Sequence, residues 1–213
     1  MPDVLLQNFW VGLAVWAALF ISDYALTIKC ARLYRNGVND KIVFEGSYEI
    51  TPYFQHDIDS LRRLSPRFIL ALLWTSVILF VLWRAVRQST PGLYDLVLGA
   101  LILVQLTLHM RHFRNLLLFT AATTDAVLGR IEYSRWAMLR SSALELFEFS
   151  LLFFALFAIT HSWFILGGGL GCLSVASKHW RLARAHGSGA AAQAGDRPGT
   201  SPTTHGLRKV ADQ

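Results

Sequence analysis

Long apolar runs separated by short polar stretches dominate the pattern along this chain. The first run covers residues 9–28, and two more follow at 68–83 and 93–110. Two further runs lie at 142–160 and 163–177. Since a helix needs about 20 apolar residues to cross a bilayer, the runs predict an all-α integral membrane protein with about five transmembrane helices. The last run is the shortest, so a re-entrant or tilted segment stays an alternative to a full crossing.

Three proline pairs indicate where helices begin, because each places an N-cap residue before a proline at the first helical position. They are Thr51-Pro52, Ser65-Pro66 and Thr90-Pro91. The last two precede the second and third apolar runs. The first precedes residues 53–64, whose apolar spacing predicts a short amphipathic helix. A further helix start is expected at 123–125, ahead of the fourth run.

The loop between the first two runs is expected to be partly structured. Ile42 and Phe44 lie two residues apart, as do Tyr48 and Ile50, so each pair would lie on one face of a strand. A Gly-Ser pair lies between the two segments. This pattern predicts a β-hairpin, with an extended interfacial loop as an equal alternative. Two glutamates beside the following proline turn, Glu45 and Glu49, are candidates to line the mouth of a polar site or to be solvated.

Basic residues are distributed unevenly between the two sides of the predicted bundle. Of the 20 Lys and Arg residues, only Arg84 and Arg87 fall on the side assigned to the N-terminus. The positive-inside rule then predicts a multi-pass protein of the bacterial inner membrane, N-terminus out and C-terminus in. The same bias favours a full crossing by residues 163–177. It also explains the net charge of +6, so nucleic acid is not predicted as a partner.

The apolar runs and the composition predict one folded unit followed by a tail. Hydrophobic residues make up 54% of the chain and charged residues 16%, against about 25% charged in soluble domains. We therefore expect one polytopic membrane domain over residues 1–186. Residues 187–213 are rich in Gly, Ala, Ser, Thr and Pro, which predicts a disordered tail.

Ionisable residues inside the predicted spans are the candidate site, because such groups are costly in a bilayer and usually face the bundle interior. They are Asp23, His109, His112, Glu145 and Glu148. At the helical rise, Asp23 lies roughly 9 Å in from Lys29, and Glu145 and Glu148 lie roughly 8 and 12 Å in from Arg140. With the histidines at the boundary, all five occupy the inner third of the membrane.

These five groups admit a chemical and a structural interpretation. Carboxylates and imidazoles bind divalent metals or relay protons. The Glu-x-x-His signature of di-metal bundles is absent, so no cofactor is predicted, and a divalent metal stays an open alternative. Pairing with neighbouring arginines or headgroups is the favoured, structural interpretation.

Two other features suggest packing and lipid contacts. Gly167 and Gly171 form a GxxxG pair, which predicts close helix packing within the chain or, alternatively, self-association or a membrane partner through the fifth span. Arg62, Arg63 and Arg67 are candidates for binding anionic lipid headgroups.

The sequence therefore predicts a protein of the lipid bilayer but not a defined activity. A non-enzymatic accessory or scaffold component is the favoured function. The alternatives are a small oligomeric transporter or channel that uses the intramembrane carboxylates, and a membrane-embedded metal enzyme with a cytoplasmic-side site. Whether the protein is an enzyme stays open, since no catalytic motif such as GxSxG is present.

Overall fold

The computed structural model describes residues 8–86, 89–124 and 126–195, with side chains up to residue 186. Within them the chain forms helices α1 (Phe9–Arg35), α2 (Pro52–Asp59), α3 (Pro66–Val86), α4 (Pro91–Thr123), α5 (Arg135–Thr160) and α6 (Trp163–Gly195), and strands β1 (Ile42–Phe44) and β2 (Ile131–Tyr133). Residues 187–195 of the predicted tail are thus helical, and the rest of it lies outside the described residues.

Helices α1, α3, α4 and α5 are long and apolar enough to cross a membrane. The predicted helical class with transmembrane helices is confirmed to this extent. Helix α3 illustrates the physical reason, because only 6% of its most apolar stretch is buried. Its large side chains, such as Leu70 and Trp74, point away from the other helices, which suits a lipid environment. Helix α6 is not in this group. Glycines, whose hydropathy is near neutral, lower the mean hydropathy of its first half.

The helices alternate in direction, as side-chain contacts along α1 and α3 show. At the start of α1, Phe9 lies 5.5 Å from the rings of Phe80 and Trp83, near the end of α3. Towards the end of α1, Tyr24 stacks on Phe68 at 4.4 Å, near the start of α3. The two helices are therefore antiparallel.

Helix α6 packs tightly against α4 through glycines. A methyl group at Gly99 would overlap the backbone of Phe164, and one at Gly167 would overlap the carbonyl oxygen of Leu96. Gly171 lies against the side chain of Val104. Both glycines of the GxxxG pair thus contact α4 of the same chain, with the two helices parallel and in backbone contact.

Helix α5 covers the other side of α6. The Ser150 hydroxyl donates a 2.9 Å hydrogen bond to the Gly169 carbonyl, and Ser142 Oγ lies 2.7 Å from His179 Nδ1. The pairing of 150 with 169 and of 142 with 179 makes α5 and α6 antiparallel. As a result, α1, α4 and α6 run one way and α3 and α5 the other.

One end of the bundle, where α1 and α4 end and α5 begins, is covered by α2 and the two strands; we call it the capped end. Here the predicted hairpin is wrong, because β1 pairs with the distant β2 in parallel register, Ile42 opposite Ile131. The predicted helix start at 123–125 is also wrong, since α4 runs on through Thr123 and α5 begins at Arg135. Helix α4 therefore carries its charged residues past Met110 into the capped end.

A buried carboxylate fixes the turn between α2 and α3. The Ser65 hydroxyl donates to Asp57 Oδ2 at 2.5 Å, and Arg62 Nη1 lies 3.4 Å from Asp57 Oδ1. The Phe68 amide donates to Ser65 Oγ at 3.2 Å, which confirms the predicted N-cap. The Tyr24 hydroxyl donates to the Arg62 carbonyl at 2.7 Å and ties this turn to α1. The turn holds α2 against the bundle.

Candidate ligand cavity

The capped end contains a partly open cavity of about 630 Å³. All six helices, β1, β2 and the loop 45–51 contribute to its walls. Its acidic, basic and histidine residues come from four helices and the loop; they are Asp23, Glu49, Arg111, His112, Arg114, Glu145 and His179. The extension of α4 past its predicted end supplies three of them.

Apolar and aromatic side chains form the greater part of the cavity wall. Helices α1 and α3 contribute Phe20 and Phe68, whose rings stack at 4.9 Å. Phe44 of β1, Phe119 of α4 and Tyr133 of β2 line the side under the strands. The cavity is thus amphipathic, with an aromatic lining and a group of charges across α4 and α5.

Asp23 and His112 meet across the interface between α1 and α4. His112 Nε2 lies 3.1 Å from Asp23 Oδ1 and 3.2 Å from Thr27 Oγ1. Both charged side chains are mostly buried. The sequence predicted both residues in the inner third of the membrane, and here they lie in contact.

A second charged group lies on the opposite wall. Arg111 Nε donates to Glu145 Oε2 at 2.8 Å, and Arg114 Nη1 lies 3.3 Å from Glu145 Oε1. Side-chain exposure is 12% for Arg111 and 14% for Glu145 but 61% for Arg114. One carboxylate is thus shared by two guanidinium groups.

Unused hydrogen-bonding capacity is concentrated in these walls. Among the buried atoms without a hydrogen-bond partner in the described residues are Gln105 Oε1, Arg111 Nη2 and His112 Nδ1, which belong to residues of the cavity wall. Buried polar atoms in folded proteins usually have a partner, and a missing one costs about 1–3 kcal/mol. These atoms are buried within the walls and do not face the open space of the cavity.

The other two members of the predicted cluster lie elsewhere. His109 is buried between α1 and α4, where Nε2 lies 2.7 Å from Ser22 Oγ and Nδ1 lies 2.7 Å from the Gln105 carbonyl oxygen. It does not line the cavity. Glu148 is exposed on the outer surface of α5, away from the cavity. The structure therefore brings together Asp23, His112 and, on the far wall, Glu145.

Two of the three headgroup candidates make contacts within the chain. Arg62 contacts Asp57, as described above, and Arg67 Nη1 donates to the Tyr53 carbonyl at 2.9 Å. The Arg67 guanidinium also lies over the Tyr53 ring, 5.6 Å from its centroid. Arg63 is exposed at the same turn.

The loop 45–51 forms one wall of the cavity, and Arg135 holds it. The Arg135 guanidinium donates to the carbonyl oxygens of Ser47, Glu49 and Ile50 at 2.9–3.2 Å. The Arg135 amide donates to Glu45 Oε2 at 2.8 Å. Glu49 lines the cavity, and burial raises the pKa of its carboxyl, although the Thr51 amide donates to it at 2.7 Å.

We expect Arg135→Ala to loosen this wall. The variant loses three hydrogen bonds from a charged donor, each worth about 1.5–3 kcal/mol. Amide hydrogen exchange in residues 45–50 should become at least about tenfold faster, because the segment opens more often. Arg130→Ala is the control, since among the described residues Arg130 forms an ion pair with exposed Glu132, and it should change the exchange little. Equal exchange in all three proteins would contradict this role.

Within the part of the chain that the structure describes, no group of three His, Cys, Asp or Glu side chains can hold a metal ion. Asp23 and His112 form a pair without a third ligand, and Glu145 is bound to arginines. The geometry thus offers no ligand set for the metal alternative among these residues.

Sequence reasoning missed the arginines of α4 as site residues. Arg111 and Arg114 follow the third apolar run, so their pattern is typical of a membrane flank. Their i, i+3 spacing places them on one side of a helix, and this was the available signal. His179 and Gln105 carried no signal in the sequence, because nothing in it relates α6 to α4.

Comparisons of the chain with protein-family models, with curated proteins and with solved structures find no match. The chemistry of the cavity therefore carries the functional argument.

Proposed function

We propose that this protein is a non-catalytic membrane component that binds one small amphipathic molecule in the cavity at its capped end. The observation that carries the proposal is the cavity itself, with about 630 Å³ of space, an apolar lining and a few charged groups. Ligand sites typically have about 300–1,000 Å³ and this mixture of walls. The function extends the accessory role expected from the sequence by giving it a ligand.

The proposal includes a membrane topology with α6 as a fifth crossing. Helix α6 begins beside α4, where Trp163 lies against Gly92, and stays beside it to Cys172, whose sulfur lies 3.7 Å from Thr107 Oγ1. It continues to His179 in the cavity wall. With the N-terminus outside, the capped end lies on the basic, cytoplasmic side of a bacterial inner membrane.

Binding is favoured over transport and metal catalysis by the placement of the carboxylates. A transport path would require Asp23, Glu145 and Glu148 to share one route. Glu148 lies outside the cavity, and Glu145 is held by two arginines. A metal enzyme would require a third ligand beside Asp23 and His112.

Filling the cavity tests the proposal. Ser141 lines the cavity and is exposed, so Ser141→Trp adds an indole to the open space without displacing a buried side chain. In phosphatidylcholine nanodiscs, single-chain amphiphiles such as dodecyl phosphate, dodecanoate and dodecyltrimethylammonium are titrated against the protein. At least one should raise the midpoint of thermal unfolding of the original chain, and none should do so for Ser141→Trp.

The matched control is Leu152→Trp, on the outer surface of the same helix. It should keep the stabilisation by amphiphiles, because its indole faces away from the cavity. If no probe stabilises the original chain, or if Ser141→Trp responds like Leu152→Trp, the cavity is not a binding site and the proposal fails.

A further inference from the structure

The charges on the wall formed by α4 and α5 are not balanced locally. Glu145 contacts both Arg111 and Arg114, so two positive groups share one negative group. The Arg114 side chain is mostly exposed, so the unmatched charge is open to an anion in the cavity. An anion placed between the two guanidinium groups would balance it.

The two arginines also have free capacity for such an anion. Each guanidinium has five N–H donors, and the contacts to Glu145 use Nε of Arg111 and both Nη atoms of Arg114. Arg114 is 61% exposed, so its guanidinium has room to turn towards a second acceptor. Planar guanidinium groups bind carboxylate and phosphate oxygens in a bidentate manner, which makes them suitable for an anionic head.

The remaining charges of the cavity do not offset this excess. Asp23 faces His112 at 3.1 Å on the opposite wall, and the pair is neutral overall when the imidazole is protonated. Glu49 has no ion-pair partner among the described residues and accepts its hydrogen bond from a backbone amide. Neither Asp23 nor Glu49 contacts the two arginines, so Glu145 is their counter-charge among the described residues.

The wall beside these arginines is apolar. Leu108 and Leu118 precede and follow them on α4, Met138 lies on α5 and Val175 on α6. This lining suits an alkyl chain, since burying each methylene stabilises binding by about 0.8 kcal/mol. A small inorganic anion would leave most of the 630 Å³ unfilled.

From this arrangement we infer that the ligand is an anionic amphiphile, whose carboxylate or phosphate head lies between Arg111 and Arg114 and whose chain occupies the apolar part of the cavity. The inference rests on the proposed binding function and specifies the class of ligand. A fatty acid and a single-chain lipid phosphate share this chemistry.

The affinities of four probes test the class of ligand in phosphatidylcholine nanodiscs. Dodecanoate and dodecyl phosphate carry the anionic head with a chain, dodecyltrimethylammonium carries a cationic head with the same chain, and inorganic phosphate carries the head alone. We expect the anionic amphiphiles to bind at least about tenfold more tightly than the cation. Inorganic phosphate should bind weakly, because it gains nothing from the apolar wall.

Two substitutions at the arginine–glutamate group should act in opposite directions. Glu145→Gln removes the carboxylate that competes for the guanidinium groups, so anion affinity should rise about tenfold. Arg114→Gln removes one charged donor, worth about 1.5–3 kcal/mol, so anion affinity should fall by at least about tenfold. Glu148→Gln changes a residue of α5, the helix of Glu145, that lies outside the cavity. It should leave the affinity for the anion unchanged.

The outcomes separate this inference from the proposed function. If amphiphiles of either charge bind equally and Ser141→Trp abolishes both, the binding function stands and the anionic class is wrong. If Glu145→Gln weakens anion binding as Arg114→Gln does, the three residues serve only to hold the wall, and the inference is overturned. Tight binding of inorganic phosphate alone would reassign the site to a free anion.

Discussion

Replacing Gly167 by alanine is expected to lower the free energy of unfolding by about 3 kcal/mol, the upper part of the range for overpacking a core. The added methyl group would overlap the carbonyl oxygen of Leu96 on α4. A backbone atom cannot move aside as a side chain can, so the two helices must separate along their contact. Thermal unfolding of the purified protein in detergent measures the effect.

Two variants of the same helix serve as controls. In Gly171→Ala the new methyl group meets a methyl of Val104 at 2.8 Å, which can rotate away, so the loss should be smaller. Leu170 is exposed beside them, and Leu170→Ala should change stability little. A Gly167→Ala protein as stable as the original would mean that α4 and α6 are not in backbone contact.

The same change should also weaken ligand binding. Helix α4 carries Arg111 and His112, and α6 carries His179, so separating the helices displaces charged groups of the cavity wall. Gly171→Ala should show a smaller loss, in proportion to its smaller effect on stability.

Replacing Asp57 by alanine is expected to cost about 3 kcal/mol of stability, because hydrogen bonds to a charged group contribute about 1.5–3 kcal/mol each. The variant leaves the buried Ser65 hydroxyl without its acceptor and Arg62 without its carboxylate. Asp59→Ala is the neighbouring control, since the Asp59 side chain is exposed and accepts from the Ser47 hydroxyl, while Arg35 donates to the Asp59 backbone carbonyl, which the variant keeps. It should cost well under half as much.

The Asp57 contribution should depend on pH in a defined direction. The hydrogen bond from Ser65, followed by His56 and the charges of Arg67 and Arg62, lowers the pKa of Asp57 in the folded state. A lowered folded pKa means that stabilisation is complete above the unfolded value, about 3.9, and is lost as pH falls through the folded pKa. The difference between the original chain and Asp57→Ala should therefore shrink below about pH 4. A difference that is constant with pH would exclude an ionised Asp57.

Local features of the sequence were sufficient for the helical class and for some helix starts. Ser65 caps α3 as its proline pair predicts, since the capping bond to Phe68 needs only four consecutive residues. Four of the five predicted apolar runs likewise coincide with helices of membrane-spanning length, because hydropathy is a property of each segment alone. The basic flanks add a predicted orientation.

Contacts between distant segments were decided by the tertiary structure. Strand β1 pairs with β2 rather than with the residues that follow it, and no local pattern identifies a partner so far along the chain. Helix α4 continues past Met110 because the capped end supplies partners for its charges, including Asp23 and Glu145. From sequence, the same charges indicated the end of a span.

The candidate site shows the same division. The helical rise gives depth from sequence alone, and it placed Asp23 and His112 in the same inner third of the membrane; the structure brings them into contact. It placed Glu148 at a suitable depth too, yet this residue faces outward. Rotation about a helix axis depends on which side packs against neighbours. That choice arises only when α5 packs against α4 and α6, so tertiary structure determined which of the charges line the cavity.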